Sequence, residues 1–267
     1  MGATNHVIDV ISPEQLVAHH TFAHVIQGAM HLYDGSRNFT LKSGESGLVR
    51  KNRFARYKKE KEDGQLEKVF VFFDEGFLRR FQEKYGVTPS KWDSDETVIP
   101  LEERGLVAPF VQSLLPYYDH GKIHEAFADL KREELLLILL QNQPELSGLL
   151  FDFQPPEKVN LEEFMNRNYT FNVSLERFAY LTGRSLSAFK RDFFLVFHET
   201  PGRWLVQKRL EEAHFLMSQG HKAPSDIYLD LGFENLSHFS FAFKKQFGLA
   251  PRDLATRHRD SNPARHG

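Results

Sequence analysis

Two sets of side chains in the C-terminal half have the types and spacing to hydrogen-bond nucleic acid. They are Ser187, Lys190, Arg191 and Phe194 and, fifty positions later, Ser237, Ser240, Phe241 and Lys244. Steps of three and four residues place each set on one face of a helix. Hydroxyl, ammonium and guanidinium donors suit phosphate oxygens and the acceptor edge of guanine, and an aromatic ring can cover a thymine methyl. Any one of these residues alone is better explained as solvated helix surface. Their recurrence argues for more.

The elements that must position them recur too. Phe189, Phe193, Phe197 and Pro201 return as Phe239, Phe243, Phe247 and Pro251, while Ser187 matches Ser237, Leu181 matches Leu231 and Phe178 answers to Tyr228. A fixed period means one supersecondary unit used twice. Each copy is expected to begin with a short helix, 175–182 or 226–231, stopped at Gly183 or Gly232. A second helix then opens at a capping residue, Ser185 or Asn235, with Ser237 and His238 in the first turn of the second copy. Phenylalanines four apart stay on one face, which must be buried. Helix, tight turn and helix make a helix-turn-helix unit. Between the copies, Pro201 after Thr200 starts a rod through Trp204, Arg209, Ala213 and Leu216 to Gly220, ~28 Å long. A rod of that length can set two recognition helices about one DNA turn, ~34 Å, apart.

The runs Leu210-Glu211-Glu212-Ala213, Asp226-Ile227-Tyr228-Leu229-Asp230-Leu231-Gly232-Phe233, Ser237-His238-Phe239-Ser240 and Phe243-Lys244-Lys245-Gln246-Phe247-Gly248, followed by Pro251, resemble the DNA-binding domain of the AraC/XylS family of transcription regulators. The resemblance spans residues 159–258 and is carried mainly by the ordered motif from Gly232 to Pro251. It implies an all-α seven-helix domain with two helix-turn-helix units on double-stranded promoter DNA, usually activating transcription, with RNA polymerase as a further partner. The chain departs from the family's pattern at His198, where glycine is common, and at Phe241, where a basic residue is frequent. Base reading by the second unit is therefore expected to lean on Ser237, His238 and apolar contact with thymine methyls.

The bulk numbers fit this division. At 267 residues, 41% hydrophobic and 26% charged, the chain can hold two domains with separate cores. The net charge of −2 is unevenly spread: residues from Asn160 onward carry 15 Lys and Arg against 12 Asp and Glu, and the remainder 19 against 24. The basic half is the one with the repeats, and its tail adds Arg257, Arg259 and Arg265. With no cysteine there is no disulfide or thiolate metal site. The longest apolar run, 135–140, is too short to span a bilayer, and the N-terminus lacks a signal pattern, so a cytoplasmic protein without membrane contact is expected.

The fold expected is α+β in two domains, 1–150 and 160–258, joined by a linker at 151–159 that holds Pro155 and Pro156. Short aromatic and β-branched segments at 7–11, 22–26, 39–41, 47–50 and 66–73 suggest a small antiparallel β-barrel or sandwich. The last of them is apolar on both faces. The family resemblance makes this a cupin-like sensing domain for an effector that the sequence leaves unnamed. Helices follow over 74–85, 106–118, 123–141 and 144–150. Their leucines could pair with a second copy, giving a homodimer through 106–150, or pack against the strands. Asn160 with Glu163 makes a capping-box arrangement at the start of the second domain.

Four histidines, His19, His20, His24 and His31, raise the question of a metal. His20 and His24 share a face of a strand but sit ~13 Å apart, too far for one ion. No carboxylate stands at a supporting spacing, and the Gly44-Glu45-Ser46-Gly47 turn is neither a nucleophile elbow nor a phosphate loop. No metal, cofactor or catalytic residue is expected. The function expected is sequence-specific transcription regulation by two recognition helices in adjacent major-groove segments. Two alternatives stay open: a cupin-type metal enzyme with an attached DNA-binding domain, and a protein-interaction module anchored by Phe194 and Phe241.

Overall fold

The computed structural model describes residues 4–7, 15–60, 66–102, 105–119, 122–219 and 222–254. The chain separates into two compact units, Met1–Pro155 and Pro156–Gly267. No helix among the described residues is long and apolar enough to cross a membrane.

The first unit holds twelve described strands: β1 (Thr4–Val7), β2 (Leu16–Val17), β3 (His20–Gln27), β4 (Ala29–Tyr33), β5 (Asn38–Lys42), β6 (Ser46–Val49), β7 (Arg53–Phe54), β8 (Arg56–Glu60), β9 (Glu67–Phe73), β10 (Val98–Pro100), β11 (Tyr118–Asp119) and β12 (Lys122–Ile123). Helices α1 (Glu75–Tyr85), α2 (Val107–Leu114), α3 (Glu125–Asn142) and α4 (Leu146–Leu150) complete it. Seven strands form one sheet in the order β10-β6-β3-β9-β1-β12-β11, three a second in the order β5-β4-β8, and β2 pairs with β7.

Period-two alternation on β9 explains the layering. Val69, Val71 and Phe73 pack with Phe22, Leu48 and the helices, whereas Phe70 packs with Ala23, Val25, Met30, Leu32 and Leu41. The central strand is thus buried on both faces, as its apolar run implies. Lys68 shares the Phe70 face and is fully buried, its ammonium 4.8 Å from the Tyr57 ring centroid and 4.6 Å from that of Phe70.

Several expectations are corrected. The sheets face each other without closing into a barrel. β1 lies parallel to both β9 and β12, so the large sheet is mixed, and most of the expected 7–11 strand lies outside the described residues. β4 and β8 were not legible in the sequence, because the charged β8 takes its conformation from pairing with β4 over Ala29–Tyr33. The helix expected over 106–118 ends at Leu114 and continues as one 3-10 turn, since Pro116 has no N–H for another α-helical turn. The leucines of α3 divide: Leu135, Leu136 and Leu139 are buried, while Leu130 and Leu137 are exposed.

The second unit contains α5 (Leu161–Asn168), α6 (Leu175–Leu181), α7 (Leu186–Phe197), α8 (Pro201–Ser218), α9 (Pro224–Ile227) and α10 (Leu236–Phe247), with a further helical turn at 251–254. α9 is shorter than the expected 226–231 and reaches Gly232 through turns. The end of the rod at Gly220 and the three tail arginines lie outside the described residues. α8 serves both cores: Trp204 meets Phe193 and Phe197 at centroid distances of 5.5 and 4.6 Å, and Leu210, Ala213 and Met217 pack with Phe239 and Phe243. Between them, Arg209 is 8% exposed. Its guanidinium donates to the carbonyls of Tyr169 at 2.7 Å, Phe171 at 2.8 Å and Gly232 at 2.9 Å. Burial draws its pKa down to about 10, so it remains charged at neutral pH.

Two predictions concern this framework. His20 on β3 is 1% exposed, its Nε2 lacks a hydrogen-bond partner, and burial with the charges of Lys51, Arg50 and His19 lowers its pKa to about 3. Burial lowers His24 as well. The folded protein keeps His20 neutral while the unfolded chain takes up a proton below pH ~6.5, so stability is complete above that value and lost as pH falls toward about 3. The urea midpoint of the first unit's transition should fall between pH 7.5 and 5.0 by an amount worth about 2 kcal/mol from His20, and His20→Gln should flatten that slope. An unchanged slope would contradict the assignment. In the second unit, Arg209→Leu strands three carbonyls and should cost about 3 kcal/mol or more in urea unfolding. Arg203→Leu on the exposed side of α8 should stay within about 0.5 kcal/mol. Equal losses would refute the special role of Arg209.

Candidate nucleic-acid interface

The interface is built from two corners that only glycine fits. Gly183 has φ +66°, and a Cβ there would lie 2.6 Å from the carbonyl oxygen of Glu157. Gly232 has φ +81°, and its Cβ would lie 2.6 Å from the carbonyl oxygen of Thr170. A side chain would be strained at either position and would clash with backbone. The amides after each corner fold back in the same way, Arg184 N to Ala179 O at 3.0 Å and Phe233 N to Tyr228 O at 3.0 Å. α6 leads into α7, and α9 into α10, by matching turns.

The two outgoing helices are capped alike. Ser185 accepts from the amide of Ala188 at 3.3 Å, and Asn235 accepts from that of His238 at 2.8 Å. Both capping residues are exposed, and with one acceptor engaged each retains a donor, the Ser185 hydroxyl or the Asn235 amide, for a phosphate. Phe189 and Phe193 of α7, like Phe239 and Phe243 of α10, are 0% exposed. At the far end His198 holds a left-handed φ of 55° where the matching Gly248 has 75°. The corner after α7 therefore forms without glycine, histidine being among the side chains that tolerate this region.

On the outward face of α7 stand Ser187, Lys190, Arg191 and Phe194, all exposed. α10 exposes Ser237, His238, Phe241 and Lys244, with Ser240 half-buried. The phenylalanine stripe pulls one face of each helix inward, which leaves these residues together on the other. Phe241 is 72% exposed and Phe194 55%, so neither ring belongs to the core. The His238 ring stands beside that of Phe233, 5.9 Å between centroids.

Sequence reasoning missed Asp192, which lies between the outward and buried faces of α7. Its carboxylate accepts from Arg191 at 3.0 Å and from Arg184 at 3.2 Å, with Lys158 at 3.9 Å. Hydrogen bonds from Arg191 and then Arg184 hold this carboxyl below the usual range. The only local signal was an acid next to Arg191.

The histidines of the first unit do not converge. His24 Nδ1 pairs with Ser46 Oγ at 2.8 Å. His31 lies between Thr40, at 3.0 Å, and Glu60, at 2.7 Å. Among the described residues no three His, Asp or Glu side chains gather as a metal site.

Comparison with known proteins agrees with this geometry. Residues 20–149 match the model of the ExsA N-terminal regulatory domain, and residues 178–257 match a helix-turn-helix domain. The virulence regulon transcriptional activator VirF of Yersinia enterocolitica is 28% identical over 234 residues, covering 85% of each chain. The regulator ExsA of Pseudomonas aeruginosa is 25% identical over 236 residues, covering 85% of this chain and 82% of its own. Among solved structures, a probable AraC family transcriptional regulator from Rhodopseudomonas palustris is 28% identical over 37% of this chain and 93% of that one, with a TM-score of 0.33. The matched helix-turn-helix domain, together with relatives aligned along most of the chain, shows an AraC-type DNA-binding domain at the C-terminal end of a protein similar to the transcription regulators VirF and ExsA.

Proposed function

We propose that the chain is a non-catalytic, sequence-specific transcription activator, cytoplasmic and acting with RNA polymerase, that lays α7 and α10 in successive major-groove segments of promoter DNA. The observation that carries this reading is the doubled arrangement of two matched helices on glycine corners, each turning its phenylalanines inward and its hydroxyls and cations outward. In α7 the contacts fall to Ser185, Ser187, Lys190, Arg191 and Phe194. In α10 they fall to Asn235, Ser237, His238, Ser240, Phe241 and Lys244, with Phe241 against thymine methyls. The modest excess of positive charge in this half makes a few placed cations and the helix N-termini carry the phosphate contacts. VirF and ExsA bear the names of a transcriptional activator and a transcriptional regulator, which supports the same role here. The first unit is the regulatory one, receiving an effector whose chemistry stays open.

Its second task is self-association through 106–150. Phe127, Leu130 and Leu137 of α3 are 44%, 62% and 42% exposed at spacings that put them along one side of the helix. A second copy placed against this stripe would bury an apolar surface that water now wets.

Genomic fragments retained by the full-length protein at two salt concentrations test the first claim. A few discrete sites should survive the higher salt, and Arg191→Ala should cost about 1–3 kcal/mol at them and relax preference at one base pair. Retention that falls evenly across all fragments with salt would leave only non-specific binding and refute the reading. For the second claim, sedimentation should give a dimer that Leu130→Glu with Leu137→Glu converts to monomer. A clean wild-type monomer at high concentration would end the dimer proposal.

A further inference from the structure

Among the outward residues of α7, only Arg191 carries a planar fork of donors. A guanidinium offers five N–H groups, arranged as a side-on pair (Nε with Nη2) and an end-on pair (Nη1 with Nη2). In Arg191 the side-on pair is engaged: Nε and Nη2 both donate to Oδ1 of Asp192, at 3.2 and 3.0 Å. The carboxylate is held from behind, because its Oδ2 accepts from Nε of Arg184 at 3.2 Å. The Arg184 side chain is 8% exposed, and its Nη1 donates to the carbonyls of Thr182 at 2.6 Å and Val159 at 3.1 Å. A continuous set of charge-assisted contacts therefore runs from the corner of the first helix-turn-helix, through Arg184 and Asp192, to an Arg191 side chain that is 71% exposed.

We infer that Asp192 is the positioning residue that makes Arg191 a reader of guanine. By occupying the side-on edge it fixes the plane of the guanidinium and leaves the end-on edge directed outward. That edge matches the paired acceptors O6 and N7 that guanine presents in the major groove. An arginine with no such support would swing on its flexible stem to the nearest phosphate, which carries no sequence information. The negative charge of Asp192 beside it also disfavours a phosphate at the side-on edge. At the corresponding positions of α10 stand Phe241 and Ala242, so the second helix-turn-helix lacks both the fork and its support. Discrimination of a G·C pair is then a property of the first helix-turn-helix. The inference rests on α7 being a recognition helix, as proposed above.

The test selects bound sequences from a randomised DNA library with the full-length protein, comparing wild type, Arg191→Ala, Asp192→Ala and the double variant. Arg191→Ala should weaken preference for one guanine on the order of 10- to 100-fold. Asp192→Ala should weaken preference at that same base pair about tenfold or more, leave affinity for unrelated DNA unchanged or raised, and add nothing there once Arg191 is gone. If Asp192 merely anchors Arg184, its removal weakens every position alike and does so equally in the Arg191→Ala background, which overturns the inference. Should Asp192→Ala fail to fold, Asp192→Glu keeps the charge while moving the carboxylate by one methylene. It should blur the same base pair, and full retention of the preference would overturn the inference. A wild-type protein with no base preference at all would instead overturn the recognition-helix reading, a result distinguishable because it appears before any variant is compared.

Discussion

One buried guanidinium fixes the geometry on which DNA recognition depends. Arg209 lies midway along α8 and ties the carbonyls of Tyr169 and Phe171, ahead of the first helix-turn-helix, to that of Gly232 in the corner of the second. Three carbonyls brought together without a donor would be costly to bury, and a buried cation without acceptors more so. Each partly offsets the desolvation of the other. The arrangement is specific because the guanidinium fork is planar and its donors have fixed directions. α8 is thereby more than a spacer, since it sets the second corner against the segment that leads into the first.

The aromatic stripes depend on the same helix. Trp204 receives the rings of α7, while Ala213 and Met217 receive those of α10. Once Phe189 and Phe193, or Phe239 and Phe243, are buried, helical periodicity alone decides which residues face outward. The two helices are built alike yet carry different chemistry outside. α7 presents Lys190 and Arg191, and α10 presents Ser240 and Phe241 at the same positions. The first can offer cations to guanine and phosphate, the second an apolar ring and hydroxyls.

The first unit solves a different problem. Its central strand β9 is covered by a second sheet on one side and helices on the other, so it needs apolar residues at consecutive positions. That arrangement accommodates two buried histidines on β3 and a lysine between aromatic rings, and the histidines remain neutral. α3 contributes to the same core with one side and leaves Leu130 and Leu137 outside it.

Much of the recognition unit was legible without coordinates, because its signals are local. The period of fifty, the glycine corners, the Asn160, Ser185 and Asn235 caps and the phenylalanine spacing each act within a turn or two of helix, and together they identified the outward residues. In the first unit the double-faced run at 66–73 and the helix over 74–85 were legible for the same reason. Contacts between residues distant in sequence were not. β4 and β8 form by pairing across more than twenty residues, Arg209 meets carbonyls 23 to 40 residues away, and Asp192 gains its role only when Arg184 folds back across eight. A chain by itself determines where its periodic elements begin, end and face. Which polar group meets which carbonyl, and whether two sheets stack or close, was decided by tertiary structure, because those choices depend on what burial brings together.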